Sequence, residues 1–257
     1  MMLYNLTDWA ARKLGVRSPQ PSIDSFAVPT TEASRFASES SSDLAKLFYG
    51  NTGRTVHKWT HYIDAYDKHF APYRGKAIRM LELGVFQGGS LDLWRRYFGD
   101  QATIYGVDVN PDCRNRVDPP NQVRIGSQAD PAFLRSVVAE MGGIDIVLDD
   151  GSHVAEHQKV SFETLFPVLN DGGVYAIEDL HTAYWPQGFD GGYQRPGTAI
   201  ELIKQMIDDM HSSYHDRGER AGGGDAIASL HIYDSITFID KRAKREPCHI
   251  QIGPQAV

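Results

Sequence analysis

From residue 55 to about 180, short apolar runs alternate with longer stretches in which apolar positions recur at the helical period. Ile78–Leu83, Thr103–Val109, Val123–Ile125, Ile144–Leu148 and Val174–Ile177 predict strands. His57–Phe70, Ser90–Tyr97, Pro131–Glu140 and Val154–Leu169 predict helices between and before them. Strands joined by a helix-length crossover run parallel, so this alternation predicts an α/β fold with a mostly parallel, doubly wound sheet, Rossmann-like in layout. A helix at Thr198–His211 follows. The tract His231–Ile239 then alternates in two short runs around Asp234-Ser235, which predicts a C-terminal antiparallel hairpin.

The first 54 residues break this pattern. Leu3, Leu6, Trp9, Ala10 and Leu14 fit a short amphipathic helix, while residues 18–42 are rich in Ser, Pro, Thr and Ala with little periodicity. They predict a helix followed by an extended arm or mobile loop. The chain therefore divides into an N-terminal helix and arm, 1–54, and a main domain, 55–257. A helix on an arm suits docking on a partner subunit or covering a substrate, and a homo-oligomer, most simply a dimer, is the expectation.

Two of the predicted strands end in paired carboxylates. Ile144-Asp-Ile-Val-Leu-Asp-Asp150 leads into Gly-Ser-His153, and Val174-Tyr-Ala-Ile leads into Glu178-Asp179. One helix of sequence lies between them, so the strands should be parallel neighbours about 4.8 Å apart. Asp149, Asp150, Glu178 and Asp179 would then converge at the carboxyl edge of the sheet beside His153. Clustered carboxylates repel unless a cation neutralises them, and hard oxygen ligands suit Mg²⁺, Mn²⁺ or Ca²⁺. Acidic residues after strands also start turns and cap helices. Two pairs with a histidine, on the edge where open α/β sheets bind ligands, favour a functional site.

A glycine-rich turn joins the first strand to its helix: Leu81-Glu82-Leu83-Gly84-Val-Phe-Gln-Gly88-Gly89-Ser90. Its Gly84-x-x-x-Gly88-Gly89 spacing is not the G-x-G-x-x-G of a dinucleotide fold. S-adenosylmethionine has no pyrophosphate and does not need that turn. Asp108, ending the second strand in Gly106-Val-Asp108, can accept hydrogen bonds from both ribose hydroxyls. Glu82 can take the ammonium of the methionine end. Gln128 and Asp130 follow the third strand, where the adenine amino group would lie. Five parallel strands closed by an antiparallel pair is the layout of a class I methyltransferase.

Composition narrows the partners. A 41% hydrophobic and 23% charged chain of 257 residues is ordinary for a globular protein with a real core. A formal net charge of −7 argues against nucleic acid or an anionic membrane surface as the main partner. Cys113 and Cys248 cannot make a disulfide framework, which fits a reducing cytoplasm. No apolar run approaches the ~20 residues of a membrane span, and the N-terminus lacks the apolar core of a secretory signal.

Residues from about 57 to 240 resemble the metal-dependent sugar O-methyltransferases of the macrolide and rhamnosyl type, whose relatives often carry the label "cephalosporin hydroxylase". The segments that carry the resemblance are His57-Lys-Trp-Thr-His-Tyr62 with Tyr66, Leu81–Ser90, Gly106-Val-Asp108, Gly126-Ser-Gln-Ala-Asp130, Leu148-Asp-Asp-Gly-Ser-His153 and Ile177-Glu-Asp-Leu-His-Thr-Ala-Tyr-Trp185. The resemblance implies a class I fold, S-adenosyl-L-methionine and Mg²⁺ as cofactors, and a carbohydrate acceptor. It implies Asp150, Glu178 and Asp179 as metal ligands and His153 as general base. Size and arm also look like mycobacterial enzymes that methylate glycolipid or polysaccharide sugars.

A sugar hydroxyl is a poor nucleophile. A divalent cation stabilises the alkoxide that develops, and a histidine, with an ordinary pKa of ~6.5, can take the proton. Gly84, Gly88, Ser90, Glu82, Asp108, Gln128, Asp130 and Asp149 are then the expected cofactor-binding residues, with Asp149 assisting either cofactor or metal. His181, Tyr184 and Trp185 are expected beside the acceptor, and Lys58, His61 and Tyr62 can reach the site from the preceding helix. Trp59 and Tyr66 read equally as helix packing, and Lys241–Arg245 as a solvated strand end. His157, four residues after His153, has zinc-like spacing but no H-E-x-x-H context. Two other functions remain open from the residues alone. Asp150, His153 and His181 could form the two-histidine, one-carboxylate set of an iron oxygenase, or the chain could bind the cofactor without turnover.

Overall fold

The computed structural model describes residues 21–215, 226–243 and 246–253. Its sheet contains β1 (Arg79–Leu83), β2 (Thr103–Asp108), β3 (Gln122–Ile125), β4 (Ile144–Asp149), β5 (Leu169–Ile177), β6 (Ile227–Tyr233) and β7 (Ile236–Lys241). The strand order is β3-β2-β1-β4-β5-β7-β6. Strands β1 to β5 run parallel, and β7 returns antiparallel between β5 and β6. Chain order reverses between β1 and β4, so the crevice beyond their carboxyl ends is the switch point where such sheets bind ligands. Leu83 faces Asp149 across this pair.

Helices cover both faces. Helices α1 (Ala33–Glu39), α2 (Asp43–Tyr49), α3 (Tyr62–Phe70) and α4 (Gly89–Phe98) precede or follow β1. Then come α5 (Pro131–Met141), α6 (Ala155–Leu165), the short α7 (Pro186–Phe189) and α8 (Ala199–Met210). Alternate strand residues feed opposite cores, as the pleat requires. Leu81, Leu83, Val147 and Tyr175 pack with Leu134, Phe162, Leu165 and Met206. Met80, Ile146 and Phe238 pack on the other face with Tyr62, Tyr66, Phe70, Trp94 and Leu44.

The predicted strands and helices are present with shifted ends. The helix predicted over His57–Phe70 begins only at Tyr62, because 57–60 is drawn across the sheet edge by contacts described below. The helix predicted over Val154–Leu169 ends at Leu165. Pro167 sits in the 3-10 turn Phe166–Val168 that follows it, and β5 starts at Leu169. Lys241 is not a solvated strand end, since its ammonium donates to the carbonyls of Phe166, Pro167 and Leu169. Lys244 and Arg245 lie outside the described residues, as does the helix predicted at Leu3–Leu14.

The described part of the 18–42 stretch is not an extended arm. It holds 3-10 turns at Ile23–Phe26 and Thr30–Glu32 and then α1. After it, Ser42 caps α2 through the Ala45 N–H, and Leu44 and Ala45 are buried in the core. The Leu44 N–H donates to Asp67 on α3 at 3.1 Å, and Arg74 pairs with Asp43 at 2.6 Å. Low periodicity gave no signal here because these short turns and α1 bury no residue and so need no amphipathic stripe. No helix among the described residues is long and apolar enough to cross a membrane.

Leu44 is fully buried, so Leu44→Ala should cost about 2–5 kcal/mol in urea unfolding. A loss below about 0.5 kcal/mol, the range of surface substitutions, would mean that α2 is not part of the core.

Candidate active site

The two carboxylate pairs do not converge as a foursome. Asp149 is the last residue of β4 and is fully buried, with its carboxylate turned into the α6 side. It accepts hydrogen bonds from Ser161 Oγ at 2.5 Å, Tyr175 Oη at 3.0 Å and Gln128 Nε2 at 3.0 Å. Burial raises its pKa while these donors oppose the rise. Asp149 does not line the cavity described below, and its carboxylate is taken up by these three donors. Neighbouring strand residues point to opposite faces, so the next residue, Asp150, opens on the other side.

That other side is organised by Lys58. Its side chain is 2% exposed, and its ammonium contacts Asp150 Oδ2, lies 2.6 Å from Glu178 Oε1 and stands 3.7 Å from Glu82 Oε1. Burial disfavours its charge, but Asp150, Glu178 and Glu82 more than offset this and hold it above the ordinary lysine value. Burial and the nearby Asp150 raise Glu178 well above the carboxylate range, and Lys58 works against them. Only a segment released from helix geometry can deliver Lys58 here, which is why α3 starts late. The sequence signal was a lone lysine among His57, Trp59, His61 and Tyr62, read as one of several residues able to reach the site.

The same segment fixes Asp179. Trp59 Nε1 and Tyr62 Oη donate to Asp179 Oδ1 at 3.1 and 2.9 Å, so Trp59 is more than packing. Asp179 Oδ2 then faces His153 Nε2 at 3.5 Å, and Asp150 Oδ1 lies 3.7 Å from the same nitrogen. Asp150, His153 and Asp179 each offer a ligand atom within 4.8 Å of the others, while Glu178 is engaged by Lys58. His153 and Asp179 both adopt left-handed backbone conformations, with φ of 56° and 54°. Such strain in non-glycine residues costs about 1–3 kcal/mol each and collects at ligand sites.

The cofactor-side residues divide. Asp108 Oδ2 accepts from the Val85 and Phe86 N–H groups at 2.9 and 3.3 Å, and Oδ1 from Asn110 at 2.8 Å. Burial opposes its charge, but these backbone donors hold it below the ordinary carboxylate value. Glu82 is fully buried. Its Oε2 accepts from Ser90 Oγ at 2.9 Å and its Oε1 has no hydrogen-bond partner. Burial pushes Glu82 up to about 7, with Lys58 opposing and Asp150 adding to the rise. Gly84 and Gly88 have φ of 93° and 79°. A Cβ on Gly84 would lie 2.0 Å from the Asp150 carbonyl oxygen, and one on Gly88 2.0 Å from that of Arg116. Both glycines thus let loops close around the crevice.

Gln128 and Asp130 do not line the cavity described below. Gln128 is buried and ties loops together, donating to Asp149 and accepting from the Ser152 N–H at 2.7 Å. Asp130 caps α5 through the Ala132 and Phe133 N–H groups at 2.9 and 3.1 Å. For these residues the capping and packing role is the one observed. His157 pairs with Ser152 Oγ at 2.9 Å and joins neither metal-type cluster found among the described residues.

Asp108, Gly84, Ser90, Asp150, His153, Glu178 and Asp179 line one cavity of ≈ 600 Å³. Aromatic and apolar groups form its other wall. Trp59, Trp185, Phe189 and Ile23 contribute, and Phe26 packs on Trp59 at 5.4 Å between ring centroids. The part played by Ile23 and Phe189 was not read from the sequence, where both sit in low-periodicity stretches. His181 also lines the cavity. Its Nδ1 lies 2.6 Å from Ser235 Oγ, its Nε2 is buried without a partner, and burial lowers its pKa. Among the described residues His181 is absent from the Asp150–His153–Asp179 cluster, so the iron-type trio is not assembled. Tyr184 is 46% exposed and does not line the cavity.

The donor set fits an oxygen-preferring divalent ion beside one histidine, and His153 Nδ1, buried without a hydrogen-bond partner, marks unsatisfied polar capacity there. Fold and crevice together are those of a Rossmann-like class I methyltransferase. Residues 81–180 match the family described as a methyltransferase domain. The rhamnosyl tetracenomycin-C 2'-O-methyltransferase of Streptomyces olivaceus is 42% identical over 208 residues, 77% of this chain and 53% of that protein. The mycinamicin VI 2''-O-methyltransferase of Micromonospora griseorubida is 37% identical, over 78% of this chain and 52% of that protein. The solved MycE methyltransferase in complex with Mg, SAH and mycinamycin VI superposes with a TM-score of 0.65 at 31% identity, covering 93% of this chain and 59% of that one. Residues 81–180 thus carry a methyltransferase domain, and over most of its length this chain is similar to the macrolide and rhamnosyl sugar O-methyltransferases. It spans between 48% and 64% of the length of the curated relatives it matches.

Removing one partner of a buried ion network costs about 3–5 kcal/mol. Lys58→Met should therefore lower the melting temperature in chelator, and added Mg²⁺ should raise it by more than in the unmodified protein. A wild-type melting temperature in chelator would show that Lys58 is not the counter-ion of this site.

Proposed function

We propose that this chain transfers a methyl group from S-adenosylmethionine to a sugar hydroxyl of a glycoside, oligosaccharide or glycolipid. The observation that carries the reading is the meeting, in one cavity, of the Gly84–Asp108 crevice with the Asp150–His153–Asp179 cluster. The names of the similar proteins, sugar O-methyltransferases, support the reaction class. The Mg and SAH printed for the MycE structure support the cofactor pair.

Asp108 would receive the ribose hydroxyls, its charge already held by three backbone N–H groups. Glu82, steadied by Ser90, receives the ammonium of the methionine end. Gly84 and Gly88 let the Asp150 and Arg116 loops close against the turn that would hold the ligand. S-adenosylmethionine supplies an activated methyl group, and Mg²⁺ supplies Lewis-acid stabilisation of the acceptor oxygen. Asp150 and Asp179 would hold the ion, with Glu178 supporting it through Lys58. His153 takes the acceptor proton at Nε2, the ring nitrogen that faces the carboxylates. Trp59, Trp185 and Phe189 exclude water and offer faces for a sugar ring, and His181 Nε2 offers a polar contact to it. Alignment of the acceptor with the methyl group supplies much of the rate.

The division into 1–54 and 55–257, a homodimer and a cytoplasmic location belong to the same proposal. Phe26, 50% exposed while packed on Trp59 of the cavity wall, would let this segment meet a partner or an acceptor.

With labelled S-adenosylmethionine and a panel of glycosides, chelator should abolish methyl transfer and Mg²⁺ should restore it. His153→Ala should keep cofactor and metal affinity but slow single-turnover transfer ~10²–10⁴-fold. Full activity in excess chelator removes the metal from the reaction. A His153→Ala protein that loses metal affinity makes His153 a ligand instead of a base.

Cofactor binding should also move a proton. Glu82 is pushed from 4.5 to about 7 in the free protein, and an ammonium beside it lowers that value again. Binding at pH 5–7 should therefore release a proton, and the release should fade above about pH 8. Calorimetry in buffers of different ionisation enthalpy reads this directly. Identical heats across buffers at pH 6 would mean that Glu82 is not the ammonium partner.

A further inference from the structure

The outer hairpin of the sheet carries a second convergence of ligand-type side chains, away from the proposed reaction. His69 lies in the last turn of α3, His231 on β6 and Asp240 on β7. One ligand atom from each lies within 4.8 Å of the other two. His231 Nε2 is 3.0 Å from Asp240 Oδ2, and the two imidazole rings stand 4.5 Å apart between centroids. On β7, Thr237 pairs with Ile177 beside the active site, whereas Asp240 pairs with Val174. Three residues of strand place Asp240 about 10 Å from that edge.

We propose that His69, His231 and Asp240 form a structural site for Zn²⁺ or a similar borderline transition metal, fastening the edge hairpin β6–β7 to α3. Two imidazoles and one carboxylate are the donor types of zinc, unlike the carboxylate-rich set at the active site. Donors of a tetrahedral ion with ~2.1 Å bonds stand roughly 3.4 Å apart. The His231–Asp240 pair, at 3.0 Å, is near that spacing, and a ligand atom of His69 lies within 4.8 Å of both. The ligands come from separate elements, so no local sequence motif announces them.

Neighbouring groups hold the ligands in orientation, as partners outside a metal's ligands usually do. Ser229 Oγ donates to Asp240 Oδ2 at 2.5 Å. His69 Nε2 lies 3.0 Å from Tyr233 Oη, and its ring stacks on Phe238 at 4.2 Å and 17°. His69 is pulled down to about 4 by burial and by His231, with Asp240 opposing, so it is neutral at pH 7 and has a lone pair to offer. The mechanical purpose follows from topology. β6 is the edge strand and pairs only with β7, so the hairpin hangs on one ladder and on packing. A metal shared by α3, β6 and β7 would lock all three.

Co²⁺, which reports nitrogen and oxygen coordination by visible absorption, is the probe. It is titrated into the chain with Mg²⁺ in excess to occupy the carboxylate cluster. One equivalent should bind with a tetrahedral-type band. His69→Gln, His231→Gln and Asp240→Asn should each weaken binding by more than the about 10–100-fold typical of losing an outer partner. Zn²⁺ should raise the melting temperature of the unmodified chain but not of these variants. Circular dichroism and S-adenosylhomocysteine binding identify variants that remain folded, and Asp240→Asn, the mildest change, serves if the histidine variants do not. Absence of saturable binding below about 100 μM overturns the site. So does a band that survives in the folded variants, or one lost instead in Asp179→Asn, which would assign the ion to the active-site cluster.

Discussion

One buried ammonium organises the active-site edge. Lys58 is withdrawn from water among Asp150, Glu178 and Glu82, and its charge opposes the rise that burial imposes on the two glutamates. Desolvating an ion costs several kcal/mol, which a close opposite charge can offset only with good geometry. The geometry constrains the chain on both sides of the lysine. Residues 57–60 leave the helical path, Trp59 and Tyr62 land on Asp179, and α3 begins only after the lysine is delivered. A charge requirement at the sheet edge thus decides where a helix starts.

Strain is concentrated at the same place. His153 and Asp179 hold left-handed backbone, and the turn glycines Gly84 and Gly88 do so without penalty. The conformation of Asp179 turns its Oδ2 towards His153 while Oδ1 is held by two donors. The carboxylate is preorganised before any ligand arrives, which is the condition for electrostatic stabilisation without reorganisation. The crevice on the β1 and β2 side, with Asp108 charged and Glu82 poised near neutrality, complements a ligand that carries both hydroxyls and an ammonium.

Aromatic side chains connect the core on the α3–α4 face of the sheet to the site. Tyr66 packs against Trp94, Phe70 and Phe238, and Tyr62 leads from that cluster to Asp179. The hairpin β6–β7 enters this cluster through Phe238 and reaches the site through Ser235, which contacts Tyr62 and His181. Anything that steadies the hairpin, including a shared metal at His69, His231 and Asp240, would therefore steady the wall beside the acceptor.

The order of strands and helices, the parallel sheet, the closing hairpin and the glycine turn were legible in the sequence. Each depends on local periodicity or on a backbone freedom that only particular residues supply. The neighbourhood of Asp150, Asp179 and His153 was legible for the same reason, since adjacent parallel strands bring their ends together. Which carboxylate faces the site was not. Asp149 and Asp150 are chemically alike in sequence, and the pleat sends one into the core with Ser161 and Tyr175 and the other towards Lys58. The ion network of Lys58, the loop-tying role of Gln128 and the docking of Leu44 were settled by tertiary structure alone. They join residues from distant parts of the chain, and burial, which sets their energies, exists only once both faces of the sheet are covered.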